Sequence, residues 1–270
     1  MLLINSELRR IRGPRWKTNF VRRDIEHLFS LHGPTNGFAY TIDFSLAWFV
    51  EQIFCNKQGK PFRLEAFQSV ILETLWAKKF PMLIGSRGIG KTALLALYAL
   101  MKAIFVPGSK IVICGASFRQ AKFVFREIEL LYEASPIVKE ALSRWGGPKY
   151  GADTAYLKVG LSHISAVPLG NGETIRGMRA SCLVCDEFSA IPEDIFEIVL
   201  SPFTAVHMNP AERAAQMRFI NRLKNLGADE SLVSLIERMQ GVGNQIILSG
   251  TPSYKQNHFY KRYCIYRSFI

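Results

Sequence analysis

The sequence predicts an α/β fold in which a mainly parallel central sheet is flanked by helices. Three observations predict it. Apolar runs of strand length recur at Phe80 to Ile84, Ile111 to Cys114, Cys182 to Cys185 and Gln245 to Ser249. Segments with apolar residues at helical spacing alternate with them, the pattern of a parallel sheet covered on both faces. Several of the runs end in glycine, hydroxyl or acidic residues, and such sheets bind ligands at the carboxyl ends of their strands.

In chain order, 1–60 combines a basic arm (Arg9, Arg10, Arg12, Arg15, Lys17, Arg22, Arg23) with an apolar piece around Phe44 to Phe54. The arm reads either as a contact for phosphates or an acidic surface or as a solvated terminus. A turn rich in Lys and Gly at Asn56 to Pro61 marks a boundary, and 61–270 reads as the core domain. Leu64 to Trp76 has helical spacing; Lys91 to Val106 is a helix closed by Pro107-Gly108; Phe118 to Tyr132 is a third helix. A hairpin is expected between Ala155 and Ile175, turning at Asn171-Gly172, a preferred two-residue turn. Pro210 to Gln240 is helical with a break at Leu226-Gly227-Ala228 and reads as an insert, 210–240, of unread role.

With 270 residues and 49% apolar composition the chain can bury a core without a disulfide or metal staple. Thirty-four Lys and Arg against 22 Asp and Glu give a formal +12, which favours a polyanionic partner. No secretory signal is expected, since charge follows Met1-Leu-Leu-Ile almost at once. No membrane partner is expected either: the most apolar stretch, Ala93 to Val106, holds Lys102 and falls short of the roughly 18 residues a span requires. Five scattered cysteines suit a reducing compartment. Cys182 and Cys185 form a C-x-x-C, but on a strand residues three apart point to opposite faces, which argues against a shared zinc.

The chemistry concentrates in three strand ends. Gly85-Ser86-Arg87-Gly88-Ile89-Gly90-Lys91-Thr92 matches G-x-x-x-x-G-K-[ST] after a strand and before a helix. Its backbone N–H groups and the helix N-terminus would cradle phosphates, Lys91 would reach the β and γ phosphates, and Thr92 would offer a hydroxyl to Mg²⁺. Cys182-Leu-Val-Cys-Asp186-Glu187 is an apolar strand ending in two carboxylates: Asp186 to hold Mg²⁺, Glu187 to polarise the attacking water. Ser249-Gly250-Thr251 ends a third strand and reads either as a γ-phosphate sensor coupling hydrolysis to movement or as an ordinary strand end. The P-loop, the intervening strand and the glutamate directly after the Mg²⁺ aspartate specify a P-loop NTPase of the ASCE type, with an extra central strand. ATP and Mg²⁺ are the expected cofactors.

As an ordered set these residues resemble the large terminase family of viruses. The resemblance spans roughly Arg63 to Tyr263 and rests on Phe67-Gln68, the P-loop with a basic residue inside it, Ala116-Ser117-Phe-Arg-Gln120-Ala121, Asn171-Gly172 with Ile175-Arg176-Gly177, the Asp-Glu strand, and Ser-Gly-Thr-Pro followed by Asn257-His-Phe-Tyr260. It implies an ATP-hydrolysing motor that drives double-stranded viral DNA into a procapsid in the host cytoplasm. The implied partners are a portal and a small terminase subunit, with a homo-oligomeric ring on assembly. It further implies that Gln68 contacts adenine, unless it is a solvated helix position, and that Arg87 neutralises the transition state, a role Arg176 or Arg179 of a neighbouring subunit could take. The family's nuclease domain is expected to be absent, and its lid short or absent, because the chain stops soon after Gly250.

Arg119, Lys122 and Arg126 share one face of their predicted helix, with Phe123, Ile128 and Leu131 mostly on others. That stripe is either a DNA contact or a solvated basic face. Behind Thr251, cations alternate with Tyr254, Phe259, Tyr260, Tyr263 and Tyr266, which reads as a base-stacking surface or as a core segment. Two other functions fit the motifs: a helicase-like DNA-dependent ATPase, and a nucleotide-binding docking module without turnover. Glu187 counts against the second, since binding alone needs no placed base.

Overall fold

The computed structural model describes residues 46–169, 175, 178–205, 209–228, 230–251, 255 and 257–267. The basic arm, the Asn171-Gly172 pair, Arg176 and the Pro252 turn lie outside the described residues.

Helix α1, Leu46–Ile53, precedes a short Cys55↔Pro61 bridge and helix α2, Ala66–Ala77. Phe49, Val50, Ile53 and Phe54 are buried in the same core as the rest of the chain, so this piece packs on the sheet's helical layer. Strand β1, Met82–Ile84, leads through the glycine-rich loop into helix α3, Lys91–Phe105. Thirteen of the 15 residues of α3 are buried, the mark of a helix apolar on all sides and enclosed by its neighbours. Strand β2, Lys110–Cys114, is followed by α4, Phe118–Ala134, and α5, Pro136–Ser143. Ser117 caps α4 reciprocally with Gln120, and Pro136 opens α5 where its missing N–H costs nothing. Strands β3, Lys149–Tyr150, β4, Ala155–Val159, and β5, Ser162–Ala166, come next, then β6, Cys182–Cys185. Helices α6, Pro210–Asn225, and α7, Glu230–Gly241, lead to β7, Gln245–Gly250, and α8, His258–Arg267. Among the described residues, no helix is long and apolar enough to cross a membrane.

The seven strands form one sheet in the order β1-β7-β6-β2-β5-β4-β3. Pairing is parallel from β1 to β5 and antiparallel for β5, β4 and β3. Every residue of β6 and β7 is buried, whereas β4 alternates buried and exposed. The difference follows from cover: parallel strands need crossover helices that bury both faces, while antiparallel strands can leave one face wet. Cys182 and Val184 point into the large core beneath α2, α3 and α4; Leu183 and Cys185 point into a second core holding Phe196, Leu200 and Phe259. The two cysteines therefore lie on opposite faces, as the strand period requires. The thiol beside Cys185 is that of Cys114 on the neighbouring strand, 3.5 Å away.

The folded chain corrects or completes four readings. The hairpin turns at Gly160-Leu161, between the paired Val159 and Ser162, and not at Asn171-Gly172. Gly160 holds φ +62°, the left-handed setting the first position of such a two-residue turn needs, so glycine there decided the register. The run from Phe80 is a strand only from Met82: Lys79 O and Pro81 O still accept from Ile246 N and Leu248 N of β7, but Pro81 has no N–H to donate, and the Phe80 ring meets that of Tyr266 at 5.5 Å. The aromatic tail is a helix in which Phe259 is buried while Tyr260 and Tyr263 are exposed. The 210–241 stretch is the crossover between the adjacent parallel strands β6 and β7, a connection that cannot be a tight turn. It buries Phe219, Ile220, Leu223, Val233 and Ile236 in the large core.

Candidate active site

The loop after β1 is shaped by its glycines. Gly88 and Gly90 hold φ +87° and +86°, where a side chain is strained, and Gly90 is the N-cap of α3. The result is a helix N-terminus with open backbone donors above the sheet's carboxyl edge, suited to an anion. Lys91 is buried in its first turn and Thr92 is half-buried beside it. The Lys91 ammonium folds back into the loop, where Nζ donates to Gly85 O at 2.8 Å and Ser86 O at 2.9 Å and reaches Thr251 Oγ1 at 3.5 Å. Ser86, Arg87 and Gly88 are exposed at the loop's apex and Ile89 is half-buried.

In the sheet, the strand between β1 and β6 is β7, from the far end of the sequence. Ser249, Gly250 and Thr251 therefore lie between the P-loop and the Asp186-Glu187 pair, and Gly85 N donates to Gly250 O at 3.2 Å. Asp186 is buried, and its N–H donates to Cys114 O at 2.9 Å. Burial pushes the Asp186 carboxyl pKa up, with the Glu187 charge adding to it; the Ser249 hydroxyl, the Glu187 backbone N–H and the Lys91 charge pull it back. Ser249 Oγ is buried and close enough to act on that carboxyl, yet it forms no full hydrogen bond. Glu187, half-buried, is the one non-glycine residue with positive φ among the described residues, at φ 48° and ψ 48°. Such a setting costs roughly 1–2 kcal/mol and turns the chain sharply at the strand's end. Directly after it Phe188 packs edge-on against Phe259 at 5.5 Å, and Asn257 Nδ2 donates to Ser189 O at 3.0 Å.

Gln68 touches the P-loop: its Nε2 donates to Ile89 O at 3.4 Å while its Oε1 accepts from Glu65 N at 3.0 Å. It is thus neither a free solvated residue nor an uncommitted amide. Arg179 precedes β6 and is exposed at the opposite end of the sheet from Lys91, so it cannot act on its own chain's P-loop. On α4, Arg119 and Arg126 are exposed and Lys122 half-buried, but the aromatics do not keep to other faces as expected. Phe123 is 48% exposed with Arg119 over its ring at 5.9 Å, and Lys122 stands 4.1 Å above Phe118, because residues four apart share a helix face.

Sequence reasoning missed a buried polar hub at the far end of the same strands. Tyr98 Oη and Lys102 Nζ both donate to Gln245 Oε1, and Gln245 Nε2 donates to Leu75 O at 2.9 Å and Lys78 O at 2.7 Å. The available signal was a lysine inside an apolar helix and a glutamine opening an apolar strand.

The family model for the terminase large subunit, T4likevirus type, N-terminal part, matches residues 82–205, from β1 to just past the Asp-Glu strand. Over residues 82–205 the chain is therefore similar to the terminase large subunit family. Among solved structures, the large terminase of bacteriophage HK97 has a TM-score of 0.52 at 17% identity, covering 83% of this chain and 41% of that one. The large terminase ATPase domain of Thermus phage P74-26 has a TM-score of 0.42 at 14% identity, covering 77% of this chain and 89% of that one. A large terminase of a thermophilic bacteriophage in complex with ATP-gamma-S has a TM-score of 0.40 at 15% identity, covering 74% and 41%. The HK97 likeness shows a shared terminase fold, and this chain spans 41% of that protein's length. No curated protein matches the chain.

Proposed function

We propose that this chain is the ATP-hydrolysing motor domain of a terminase large subunit, which drives double-stranded viral DNA into a procapsid. The observation that carries the reading is the convergence of Lys91, Asp186 and Glu187 around the end of β7, with Thr251 touching Lys91 and Ser249 acting on Asp186.

In this reading the Lys91 ammonium exchanges the carbonyls of Gly85 and Ser86 for the β and γ phosphates of ATP, and the loop from Gly85 to Gly90 wraps them. The buried, partly compensated carboxyl of Asp186 and the half-buried hydroxyl of Thr92 fit a divalent cation. Mg²⁺ supplies charge neutralisation at the phosphate oxygens when bound. Glu187, turned by its left-handed backbone, accepts a proton from the attacking water. Arg87, exposed on the loop, is free to swing onto the transferring phosphoryl, where such an arginine contributes about 10³ to 10⁵ in rate; Arg176 or Arg179 from a neighbouring copy is the alternative. Loss of the γ phosphate changes what Lys91 and Thr251 touch, and β7 passes this on through Gly250 to Phe188 and Phe259. Gln68, already bonded to the loop, would read adenine and loop position together. Arg119, Lys122 and Arg126 contact DNA phosphates.

The division into 1–60 and a 61–270 core, the portal and small-subunit partners, the ring and the host cytoplasm belong to the same proposal. Steady-state ATP hydrolysis measured with and without long duplex DNA tests it. Turnover stimulated by duplex is expected; absence of turnover in both conditions overturns it.

A further inference from the structure

The antiparallel end of the sheet carries an exposed face that the ATPase chemistry does not use. β4 points Ala155, Leu157 and Val159 into the large core and Tyr156 and Lys158 outward. Register then places Lys149 beside Tyr156, and His163 beside Lys158 and Lys110, so these side chains share the outer face. Lys149 and Lys158 are exposed and Tyr156 is 37% exposed. Around the sheet's edge, Tyr150 lies on the inner side against Phe125 and Glu129, in the field of Arg126. Tyr150 thus stands at the sheet's edge, between this outer face and the Arg126 end of the α4 stripe, which lies on the inner side. Of the acids nearby, Glu212 pairs with Lys110 at 2.9 Å, Glu129 keeps its charge on the inner side while accepting from Tyr150 Oη at 2.7 Å, and Asp153 is exposed in the β3–β4 turn.

The aromatic groups are already in use. Lys158 Nζ stands 5.6 Å and Arg144 Cζ 4.8 Å from the Trp145 ring centroid, and the Tyr156 ring stacks on His163 at 5.8 Å. Rings engaged in this way hold their neighbours in place and have less free surface for stacking bases. What the face presents outward is positive charge at strand spacing. A polyanion with charges on its outside and its bases inside, the backbone of a duplex, fits it better than a single strand does.

We infer that the outer face of β3 and β4, through Lys149 and Lys158, is a second, sequence-independent contact for the phosphate backbone of duplex DNA. It lies across the sheet's edge from the α4 stripe, and it rests on the DNA-motor reading above. Each lysine neutralises a phosphate and releases its counterion, so the log-log salt slope of binding falls by about 0.9 per lysine lost.

The test is fluorescence anisotropy of a labelled random-sequence duplex against the full chain over a salt series, for wild type, Lys149→Gln/Lys158→Gln, Lys149→Arg/Lys158→Arg and Arg119→Gln/Arg126→Gln. Expected are a slope shallower by about 2 and weaker binding for the glutamine pair, with restoration in the arginine pair and an unchanged melting temperature. Wild-type binding that the glutamine pair leaves intact, while the α4 pair weakens it, overturns this face alone. Tighter binding to a single-stranded oligonucleotide, lost in Tyr156→Ala, also overturns it in favour of base stacking. No salt-dependent DNA binding by wild type would remove both this contact and the DNA part of the motor reading.

Discussion

Lys91 and Thr251, 160 positions apart in the sequence, meet with Nζ 3.5 Å from Oγ1 because β7 inserts beside β1. The contact joins the phosphate loop to the strand that also touches Asp186. Lys91→Ala is expected to abolish ATP turnover, since the phosphates lose the loop's ammonium. Thr251→Val is expected to keep nucleotide binding and to lose the stimulation of turnover by duplex DNA. Nucleotide titration and an ATPase assay on both variants check this, and full turnover in Lys91→Ala would contradict the site.

Glu187 stands where the backbone is strained, with φ 48°. Glu187→Gln should retain ATP binding and lose turnover by roughly 10² to 10⁴, the usual contribution of a general base. Glu187→Gly should be equally inactive without being less stable, because relief of about 1–2 kcal/mol of left-handed strain offsets glycine's cost of about 0.5–1 kcal/mol. A large drop in melting temperature for the glycine variant would show that the Glu187 side chain holds the fold.

Burial raises the Asp186 pKa above its ordinary 3.8, so the folded state holds this proton more tightly than the unfolded chain does. The folded chain thus binds more protons than the unfolded one between the two pKa values, and stability falls as pH rises through that window. Asp186→Asn mimics the protonated form. In the absence of nucleotide it is expected to melt above wild type at neutral pH, with the gap closing as pH falls below the unfolded value, while losing turnover. A lower melting temperature at neutral pH would refute the assignment.

Lys102 is 2% exposed, and burial depresses its pKa below 10.5. Here the unfolded chain binds more protons between the two pKa values, so wild-type stability recovers as pH climbs towards 10.5. Lys102→Met removes the buried charge while Tyr98 still satisfies Gln245 Oε1. The partner of the ammonium is a neutral amide, so its removal spares the cost of burying an unpaired charge. The melting temperature at neutral pH should hold or rise and the alkaline gain should vanish; strong destabilisation would mean the ammonium's hydrogen bond outweighs its desolvation.

This chain is expected to leave DNA uncut. A nuclease of the two-metal kind needs clustered carboxylates, and among the described residues no group of three or more His, Cys, Asp or Glu side chains is placed to hold a metal ion. Supercoiled plasmid incubated with the purified protein and Mg²⁺ or Mn²⁺ should stay supercoiled; nicking that disappears in Asp186→Ala would prove the expectation wrong.

Local chemistry was legible in the sequence wherever the pattern is local. The P-loop's glycines, the apolar strand ending in Asp186-Glu187, and the helix break at Leu226-Gly227-Ala228 depend on neighbours within a few positions, and each appears where the pattern put it. The hairpin was misplaced because two glycine turns competed, and the choice of Gly160 rests on pairing Val159 with Ser162. Tertiary structure alone decided that β7 stands between β1 and β6, that Arg179 faces away from its own P-loop, and that Gln245 gathers Tyr98 and Lys102 into one buried hub. Strand order and buried hydrogen bonds join residues more than a hundred positions apart, and no sequence period records which strands become neighbours. Parallel neighbours such as β6 and β7 need a crossover between them, and α6 and α7, which form part of it, are held by the burial of Phe219, Leu223 and Ile236 in the large core.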